Sequence, residues 1–497
     1  MICIQATPLS YRIKVSQTGQ LIGTVQYLVK YLKRFNHTKW DQRLRQTILY
    51  KRYLHYNEKQ QMLYIPRYDL PSFCQYLVSC NIAYTIEHLP LQLGEPIHVP
   101  LKSHVRDRSE QQTKAIEYLT TCPDSQRGLS SSTGFGKTFC AIKTISIIGR
   151  RAMICVGGLV DQWKRAILEY TELNDEDIYI IQGAPSMTKL LLQIDKTLFP
   201  KIILCSLGTI RAYAIGDAAY ENYPPFSELF DRLRVGVKVL DEAHLNFYLT
   251  LMVDIQTNAA VNIALTATFD RGDYQVKQIF DLHYPHLMRF GEGDFVRYID
   301  IYSYSYTLGG NIPPKAYMTP AGYNHSKLED YLIRRVPQRL KYIYDCVYSP
   351  AIYSHYLNVR KPGQKLLILC ATVAMCQWFH DKLVASLSPN EGLLKIGLYT
   401  YETNDSVLSD TDIIISTPGS AGTGTDIKNL LTVFMTLATG SDNMNKQSLG
   451  RLRELPNGDT PTYAYAWNRD ITPHLSYQET RRHTFTARGK TFHEIVL

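Results

Sequence analysis

Residues 128–148, GLSSSTGFGKTFCAIKTISII, join a short apolar run through a glycine-rich turn to an amphipathic, helix-like segment. Gly134 and Gly136 allow backbone N–H groups to turn inward around an anion, and the N-terminus of the following helix adds its positive dipole end. Lys137 can then reach the β- and γ-phosphates of a nucleotide, and Thr138 can hold Mg²⁺. The stretch therefore predicts a phosphate-binding turn between a strand and a helix.

This turn departs from the strict phosphate-loop pattern at one position, because Ser131 stands where that pattern has its first Gly. A G-K-T tripeptide alone arises easily by chance, but the strand before it and the helix after it favour a functional site. The predicted nucleotide contacts are Thr133, Gly134, Phe135, Gly136, Lys137 and Thr138.

A pair of carboxylates follows about a hundred residues later. The segment VGVKVLDEAH (235–244) predicts a buried strand that ends at Asp241 and Glu242. A carboxylate at the carboxyl end of a parallel strand faces the same crevice as a phosphate loop. Asp241 would then ligate Mg²⁺, directly or through water, and Glu242 would orient and deprotonate an attacking water. A surface pair that caps a helix is the alternative interpretation, which pairing with the Lys137 turn disfavours.

Short β-branched apolar runs recur along residues 105–290 and 331–470 and predict buried parallel strands. They are RAMICVGG, KIILCSL, VGVKVLDEA and VNIALTAT in the first region, and KLLILCAT, KIGLYT, DIIISTP and LTVFMTLAT in the second. Helix-like segments lie between them, so the fold class is α/β with two cores in series. Residues 291–330 predict a connector with a strand or two, in which RYIDIYSYSYTL (297–308) is either core of the second domain or a strand hairpin.

Residues 1–104 predict a separate small α/β domain. Residues 19–35 are helix-like, residues 38–67 alternate as strands do, and residues 69–86 predict a helix, with Asp69 as its N-cap, followed by a strand. The formal net charge of the chain is +9, and residues 1–100 carry +7 of it, from 12 Lys and Arg against 5 Asp and Glu.

Aromatic side chains lie among these cations, which suits a surface that neutralises phosphates and stacks on bases. The alternative is that most of the rings pack the domain's own core. A membrane surface would also attract the charge, but nucleic acid fits the interleaved rings better. The candidate nucleic-acid contacts here are Trp40, Arg43 and Arg45.

The remaining composition narrows the class of protein. No run of about 18 apolar residues predicts a membrane span, and the first residues, MICIQATPLSYRIK, do not resemble a secretory signal. The ten cysteines form no C-x-x-C pair, which favours buried reduced thiols over zinc or disulfides. We therefore expect a cytoplasmic protein, in the host cell if it is viral. The final segment, residues 471–497, predicts a tail without clear periodicity.

Six further motifs occur in the order found in superfamily 2 helicases, which the chain resembles over about residues 105–470. They are Gln112 with Ala115 (the adenine-contacting segment), CVGGLVDQW (155–163) and CSLGTI (205–210) (strand-contacting motifs), LTAT (265–268) (the coupling motif), STPGSAGTGTDIKNL (416–430) (motif V) and QSLGRLRE (447–454) (motif VI). Two arginines are displaced by one residue from the family pattern. Arg108 comes one residue before its usual position. Arg453 also comes one residue early, and Glu454 stands in the usual place, which leaves open which side chain supplies a second arginine finger.

This resemblance implies two tandem RecA-like domains, residues 105–290 and 291–470, with ATP and Mg²⁺ as cofactors. The implied catalytic residues are Lys137, Asp241, Glu242, Gln447, Arg451 and Arg453. The implied nucleotide contacts add Gln112, Gly424 and Asp426, and the implied coupling residues are His244, Thr266 and Thr268. The implied nucleic-acid contacts are Gln162, Ser206, Thr209, Thr417 and Lys428. A simple helix cap is the alternative role for His244.

Within the superfamily, the chain resembles the phage UvsW type, on the K-N-L that follows motif V, the small basic domain around Trp40 and Asp41, and the overall length. That group unwinds or branch-migrates forks, Holliday junctions, D-loops and R-loops. The resemblance implies branched or forked DNA as partner, replication or recombination proteins as further partners, and a monomer. A transcript-release helicase, an RNA helicase and an ATP-switched nucleic-acid clamp that never unwinds stay as alternatives.

Overall fold

The chain is described here by a computed structural model. The structure describes all residues except 1, 16–21, 42–43, 132–134, 158–159, 217, 244–245, 267–272, 292–296, 309–311, 321, 388–393, 401–402, 404–405, 422–426 and 456, and except the side chains of 22–26 and 443. The chain forms two compact units, Met1–Gly293 and Asp294–Leu497.

The first unit begins with a small mixed sheet. Its elements are β1 (Ile2–Ala6), β2 (Ser10–Lys14), α1 (Ile22–Leu32), β3 (Asn36–Asp41), β4 (Gln46–Arg52), β5 (His55–Asn57), β6 (Met62–Pro66), α2 (Leu70–Ser79) and β7 (Tyr84–His88). Five strands form a sheet in the order β5-β6-β2-β1-β7, and β3 and β4 form a separate antiparallel hairpin. The predicted helix, strands, helix and strand of this region are confirmed.

Asp69 occupies the predicted N-cap position of α2, but its side chain makes no cap hydrogen bond. The carboxylate instead accepts from the hydroxyls of Tyr11 at 2.8 Å and Tyr31 at 3.0 Å, and it pairs with Arg34 at 3.1 Å. Two buried or half-buried phenols compete for this carboxylate better than a backbone N–H of α2 does, since each would otherwise lose its partner on burial.

The rest of the first unit is a parallel sheet with helices. Its elements are α3 (Glu110–Thr121), β8 (Gln126–Ser130), α4 (Lys137–Ile148), β9 (Ala152–Val156), α5 (Val160–Tyr170), β10 (Ile178–Ile181), α6 (Gly183–Gln193), β11 (Ile202–Ser206), α7 (Leu207–Ala214), α8 (Leu229–Arg232), β12 (Val237–Leu240), α9 (Phe247–Asp254), β13 (Val261–Thr266), α10 (Tyr274–His283) and β14 (Arg289–Phe290). Seven described strands lie in the order β10-β11-β9-β12-β13-β8-β14, and all neighbours run parallel. The four predicted strands of this region are β9, β11, β12 and β13.

The small sheet and the parallel sheet share one hydrophobic cluster. It runs from Ile4 and Tyr11 through Phe73 to Leu240 and Phe280. The hairpin is attached to the segments that follow β12 and β13. Its neighbour Tyr53 stacks on Phe247 at a centroid distance of 5.7 Å, and His37 lies 3.0 Å from Asp273. The basic N-terminal region is therefore built onto the first parallel-sheet domain.

The second unit contains a second parallel sheet. Its elements are β15 (Asp300–Tyr306), β16 (Met318–Thr319), β17 (Gly322–Tyr323), α11 (His325–Arg335), α12 (Pro337–Ile343), α13 (Ser349–Ile352), β18 (Lys365–Leu369), α14 (Val373–Ser386), β19 (Ile396–Tyr399), α15 (Ser406–Asp410), β20 (Ile413–Ser416), β21 (Leu430–Met435), α16 (Asp442–Leu449), β22 (Thr462–Asn468), α17 (Thr472–Arg488) and β23 (Thr491–Val496). Its seven described strands lie in the order β19-β20-β18-β21-β22-β15-β23, with parallel neighbours. Two short strands, β16 and β17, form a separate antiparallel pair.

The Tyr-rich run forms β15, a strand inside this second sheet. It is therefore core of the second domain and not a separate strand hairpin. The last segment of the chain is also structured: α17 packs on the domain, and β23 pairs with β15 as an edge strand. In the described part of the chain, no helix combines the length and the hydrophobicity that a membrane crossing requires. The expected fold class, two parallel α/β domains in series after a small mixed domain, is confirmed.

Candidate active site

The sequence motifs of the first unit gather at one edge of its sheet. In the parallel sheet, the carboxyl ends of neighbouring strands open into one crevice. The turn before Lys137 follows β8, Asp241 follows β12, Thr266 ends β13, and Ser206 ends β11. A backbone hydrogen bond connects two of these ends: Ser131 N donates to Thr266 O at 3.1 Å.

The described end of the turn between β8 and α4 consists of Phe135 and Gly136, directly before Lys137. Gly136 has φ of 93° at the N-cap of α4, a left-handed conformation that residues with a Cβ rarely adopt. Lys137 follows it, is about nine-tenths buried, and donates from Nζ to the Ser131 carbonyl at 3.0 Å. The strand and helix predicted on either side of the turn are confirmed as β8 and α4.

Gln112 packs directly against this turn. Its side chain donates to the carbonyl of Phe135 and accepts from the backbone N–H of Arg108 at 2.8 Å. A Cβ at Gly136 would lie 2.5 Å from Nε2 of Gln112 and 2.9 Å from a terminal nitrogen of Arg108. The structure thus brings both Gln112 and the displaced Arg108 to this turn, where the positive φ of Gly136 favours glycine.

The carboxylates lie at the end of β12. Burial raises the pKa of Asp241, while a hydrogen bond from Trp163 and the nearby charge of Lys137 lower it in part. Glu242 has φ of 50°, and its backbone N–H donates to Asp241 Oδ1 at 3.0 Å. A non-glycine residue in this left-handed conformation is costly and occurs where a site requires a particular direction of the chain. The geometry places Lys137 and Asp241 within electrostatic reach of each other.

Trp163 holds Asp241 in place, a role that its motif alone did not reveal. Trp163 lies on α5, is 2% exposed, and donates from Nε1 to Asp241 Oδ2 at 2.9 Å. A buried indole N–H requires an acceptor. The sequence signal for this contact was therefore a Trp on the helix after β9, the strand next to β12. This contact fixes the carboxylate that we expect to hold Mg²⁺.

The second unit carries the motif VI residues at the end of α16. Gln447 lies on α16 and is partly exposed, whereas Arg451 follows the helix and is 6% exposed. Arg453 folds back to donate to the carbonyl of Gly450. Arg451 is thus the more deeply buried of the two residues that flank the end of motif VI and of α16.

The proposed nucleic-acid contacts fall into two groups. Thr209 is 7% exposed and accepts from Gly183 N at 2.8 Å, while Ser206 caps α7 by accepting from Thr209 N at 3.1 Å. Thr417 makes a similar local bond, with Ser420 N at 3.2 Å. More accessible contacts are Gln162 (half-buried), Lys428 and Arg45 (exposed) and Trp40 (63% exposed).

The N-terminal aromatic residues divide between core and surface. Phe35, Tyr53 and Tyr64 are buried, at 1 to 4% exposure, whereas Tyr50 and Trp40 of the hairpin are 48% and 63% exposed. Lys39 lies 3.8 Å from the centroid of the Tyr50 ring. The hairpin therefore presents rings and cations together, as a nucleic-acid surface requires, while the buried rings form the core.

Several predicted site residues lie outside the described residues. They are Arg43, Thr133, Gly134, His244, Thr268, Gly424 and Asp426. Their roles stay predictions from the sequence.

The residues present fit a nucleotide with bound Mg²⁺. The buried ammonium of Lys137 suits phosphate oxygens, and the Asp241 carboxylate and the Thr138 hydroxyl on the first turn of α4 are oxygen ligands of the kind Mg²⁺ prefers. Among the described residues, no three His, Cys, Asp or Glu side chains converge as a metal site. Nucleotide-bound Mg²⁺ needs only one or two protein ligands, because phosphates and water complete its shell.

Comparison with protein-family models and with curated proteins finds no match. Among solved structures, the DNA-bound type ISP restriction-modification enzyme LlaBIII aligns over 86% of this chain and 34% of its own, at 12% identity and a TM-score of 0.54. S. cerevisiae Dbp5 bound to RNA and ADP BeF3 aligns over 78% of this chain and 90% of its own, at 14% identity and a TM-score of 0.50. T4 UvsW aligns over 100% and 99% at 13% identity, with a TM-score of 0.35.

The alignments with LlaBIII and Dbp5 show the fold. The chain has two tandem RecA-like parallel-sheet domains, here preceded by a small N-terminal domain.

Proposed function

We propose that the chain is an ATP-driven motor that moves on nucleic acid. The observation that carries this proposal is the convergence of Lys137, Asp241 and Glu242 at the carboxyl edge of the first RecA-like sheet, with Gly136 packed under Gln112. A buried ammonium, a buried carboxylate held by Trp163 and a second carboxylate beside it are the groups that phosphoryl transfer to water requires.

Each residue has a defined part in this mechanism. Lys137 and the N–H groups at the start of α4 bind the β- and γ-phosphates, and Glu242 accepts the proton of the attacking water. Thr138 and Asp241 would hold Mg²⁺, which would supply positive charge at the phosphate oxygens. The motif VI resemblance assigns Arg451 the part of stabilising the negative charge that develops on the transferred phosphoryl group.

The proposed substrate is branched DNA, such as forks, Holliday junctions, D-loops and R-loops. Support comes from the sequence resemblance to UvsW-type helicases at motif V and from the basic, aromatic hairpin of the N-terminal domain. Contacts to phosphates position a strand without selecting its sequence, so a junction-specific motor needs such a surface outside the motor domains. RNA unwinding, and a clamp that hydrolyses ATP without unwinding, are the alternatives.

Lys137→Ala tests the motor. We expect ATP hydrolysis to fall to background while binding of a DNA junction persists, since Lys137 is a proposed contact to the nucleotide phosphates and not to DNA. Arg165→Ala, on the exposed part of α5, is the control and should leave turnover unchanged. Ordinary turnover in Lys137→Ala would contradict the site assignment.

The substrate is tested by ATPase and unwinding assays on a four-way DNA junction, a forked duplex, plain duplex DNA and duplex RNA. We expect the junction and the fork to stimulate hydrolysis most and to be unwound. Stimulation by RNA alone would favour the RNA helicase. Stimulated hydrolysis with no strand separation on any substrate would favour the clamp.

A further inference from the structure

The C-terminal helix α17 presents one continuous stripe of side chains to the segment that carries motif VI. Its members, Tyr477, Arg481, Thr484 and Arg488, are spaced by four, three and four residues, which places them on one face of a helix. Residues 437–449, the end of the β21 segment and helix α16, lie against this stripe. Helix α16 ends two residues before Arg451.

Arg481 is the centre of the stripe. It is 1% exposed, and it donates from one terminal nitrogen to Leu437 O at 2.8 Å and from Nε to Asn445 Oδ1 at 3.2 Å. Its guanidinium lies 4.8 Å from the centroid of the Tyr465 ring. These partners are all neutral, although a buried charge is costly unless it is well paired. The planar guanidinium joins Leu437 to α16 through two nitrogens held in a fixed geometry, which a lysine ammonium does not reproduce.

Two further contacts hold the same helix from α17. Thr484 donates to Asp442 Oδ1, on the first turn of α16, at 2.7 Å. The ring of Tyr477 packs so closely on Gly440 that a Cβ there would lie 2.6 Å from two ring carbons. The loop before α16 and its first two turns are therefore fixed by α17.

The fixed residues of α16 define one face of it. Asp442 and Asn445 contact α17, and Ser448 bonds to the hydroxyl of Tyr463 on β22 at 2.8 Å. The spacing of three residues puts these side chains along one face, and Gln447 then lies on roughly the opposite face. Fixing the first face thus sets the direction in which Gln447 and the chain toward Arg451 project.

We infer that Arg481, with Thr484, is a positioning residue for ATP hydrolysis: it holds α16 and so sets the direction in which Gln447 and Arg451 project. The inference rests on the proposed ATPase function. Because Arg481 is not among the proposed nucleotide contacts, its loss leaves nucleotide binding in place and lowers the rate of hydrolysis.

The experiment compares Arg481→Met, Arg481→Lys and Thr484→Val in the full chain. We expect kcat for ATP to fall about 10- to 100-fold in Arg481→Met, the scale of a displacement of about 1 Å, and about fivefold in Thr484→Val, the scale of one hydrogen bond. Arg481→Lys keeps the charge and should lie between them. KM for ATP and the affinity for ADP should change less than twofold, while the affinity for ADP with aluminium fluoride falls in parallel with kcat.

Arg482→Met is the matched control, because Arg482 is the exposed neighbour on the same helix. It should leave kcat and both affinities unchanged. Circular dichroism identifies variants that do not fold. Thr484→Val removes only one hydroxyl, so it still tests the inference if Arg481→Met does not fold. Unchanged kcat in a folded Arg481→Met or in Thr484→Val, or a loss confined to KM, overturns the inference. Retained hydrolysis in Lys137→Ala would instead overturn the proposed ATPase function.

Discussion

Single residues in the candidate site depend on partners that are distant in sequence. Asp241 illustrates this dependence, because it accepts from Trp163, which lies 78 residues earlier. The D-E pair was recognisable from the sequence, as were the turn at Gly136 and Lys137. The hydrogen bond that holds Asp241 was not, because a motif gives residue types and not the donor that reaches each oxygen.

Trp163→Phe tests the role of this donor. Burial raises the pKa of Asp241 and the Trp163 hydrogen bond counteracts the rise, so loss of the bond should raise the pKa further. We expect the acid limb of the pH profile of ATP hydrolysis to move to higher pH.

The control is Trp467→Phe, which also removes an indole donor, here to Ser303 Oγ at 3.0 Å in the second unit. Its pH profile should match that of the wild type. An unshifted acid limb in a folded Trp163→Phe would show that Asp241 does not limit turnover at low pH.

Glu242→Gln tests the proposed base. The amide is close in size and still accepts hydrogen bonds, but it cannot take a proton from water. We expect nucleotide to bind normally while kcat falls by about 10²-fold or more, the scale of general-base catalysis. Binding of a fluorescent ATP analogue and single-turnover hydrolysis measure the two effects separately. Unchanged kcat would remove Glu242 as the base.

At the scale of elements, the apolar patterns predicted the strands well and their polar partners poorly. VGVKVL gave β12 because its residues suit a strand buried on both faces. Lys238 within it is 1% exposed and donates to Asp254 Oδ1, on α9, at 2.6 Å. His283 Nε2 lies 2.9 Å from the other oxygen of the same carboxylate. Such a pairing depends on how α9 and α10 pack on the sheet, which periodicity does not encode.

The junction of α11 with α14 contains a buried carboxylate that should make stability depend on pH. Glu329 is 1% exposed and accepts from Ala371 N and Thr372 Oγ1, both at 2.8 Å. Burial raises its pKa to about 7, against a usual 4.5, although these hydrogen bonds oppose the rise. His325, 3.7 Å away, stays neutral over this range, because burial and the charge of Arg481 lower its pKa to about 3.

The sign of the effect follows from the raised pKa. Between about pH 4.5 and 7 the folded state holds a proton on Glu329 that the unfolded state releases, so stability falls as pH rises through this window. The full effect is about 3 kcal/mol at most. Urea unfolding at pH 5 and pH 8 should therefore show a smaller pH difference in Glu329→Gln than in the wild type. The exposed Glu58→Gln is the control, and an equal pH difference in all three proteins would contradict the assignment.

At the scale of the whole molecule, the sequence predicted two parallel α/β domains after a small basic one, and it missed how the parts are joined. The strands predicted from apolar runs are present in both sheets. β23 was not predicted, because TFHEIV (491–496) alternates weakly and β15 supplies its backbone partners. The shared hydrophobic cluster of the first unit also depends on contacts between distant segments, such as Tyr53 with Phe247. A truncation of residues 1–100 would expose that cluster, so it is a poor test of nucleic-acid binding.

Charge neutralisation on the hairpin is the better test. Lys39, Arg45, Lys51 and Arg52 lie on β3, β4 and the turn that joins them, and Lys39 and Lys51 both approach the ring of Tyr50. Each phosphate contact contributes about 0.7–0.9 to the slope of log K against log salt. If all four cations contact phosphates, changing them to Gln should lower the slope for a DNA junction by roughly three and weaken binding at low salt most strongly. Hydrolysis without DNA should stay unchanged, because none of the four belongs to the ATP site.

The matched control neutralises four exposed cations of the second unit, Lys327, Arg334, Arg335 and Lys341, on α11 and α12. It removes the same net charge, so a general electrostatic attraction would lower the slope equally in both variants. A loss specific to the hairpin variant would identify the hairpin as the surface that contacts phosphates. Equally lowered slopes in the two variants would mean that nucleic acid is attracted by overall charge alone. An unchanged slope in the hairpin variant would mean that the hairpin does not contact phosphates.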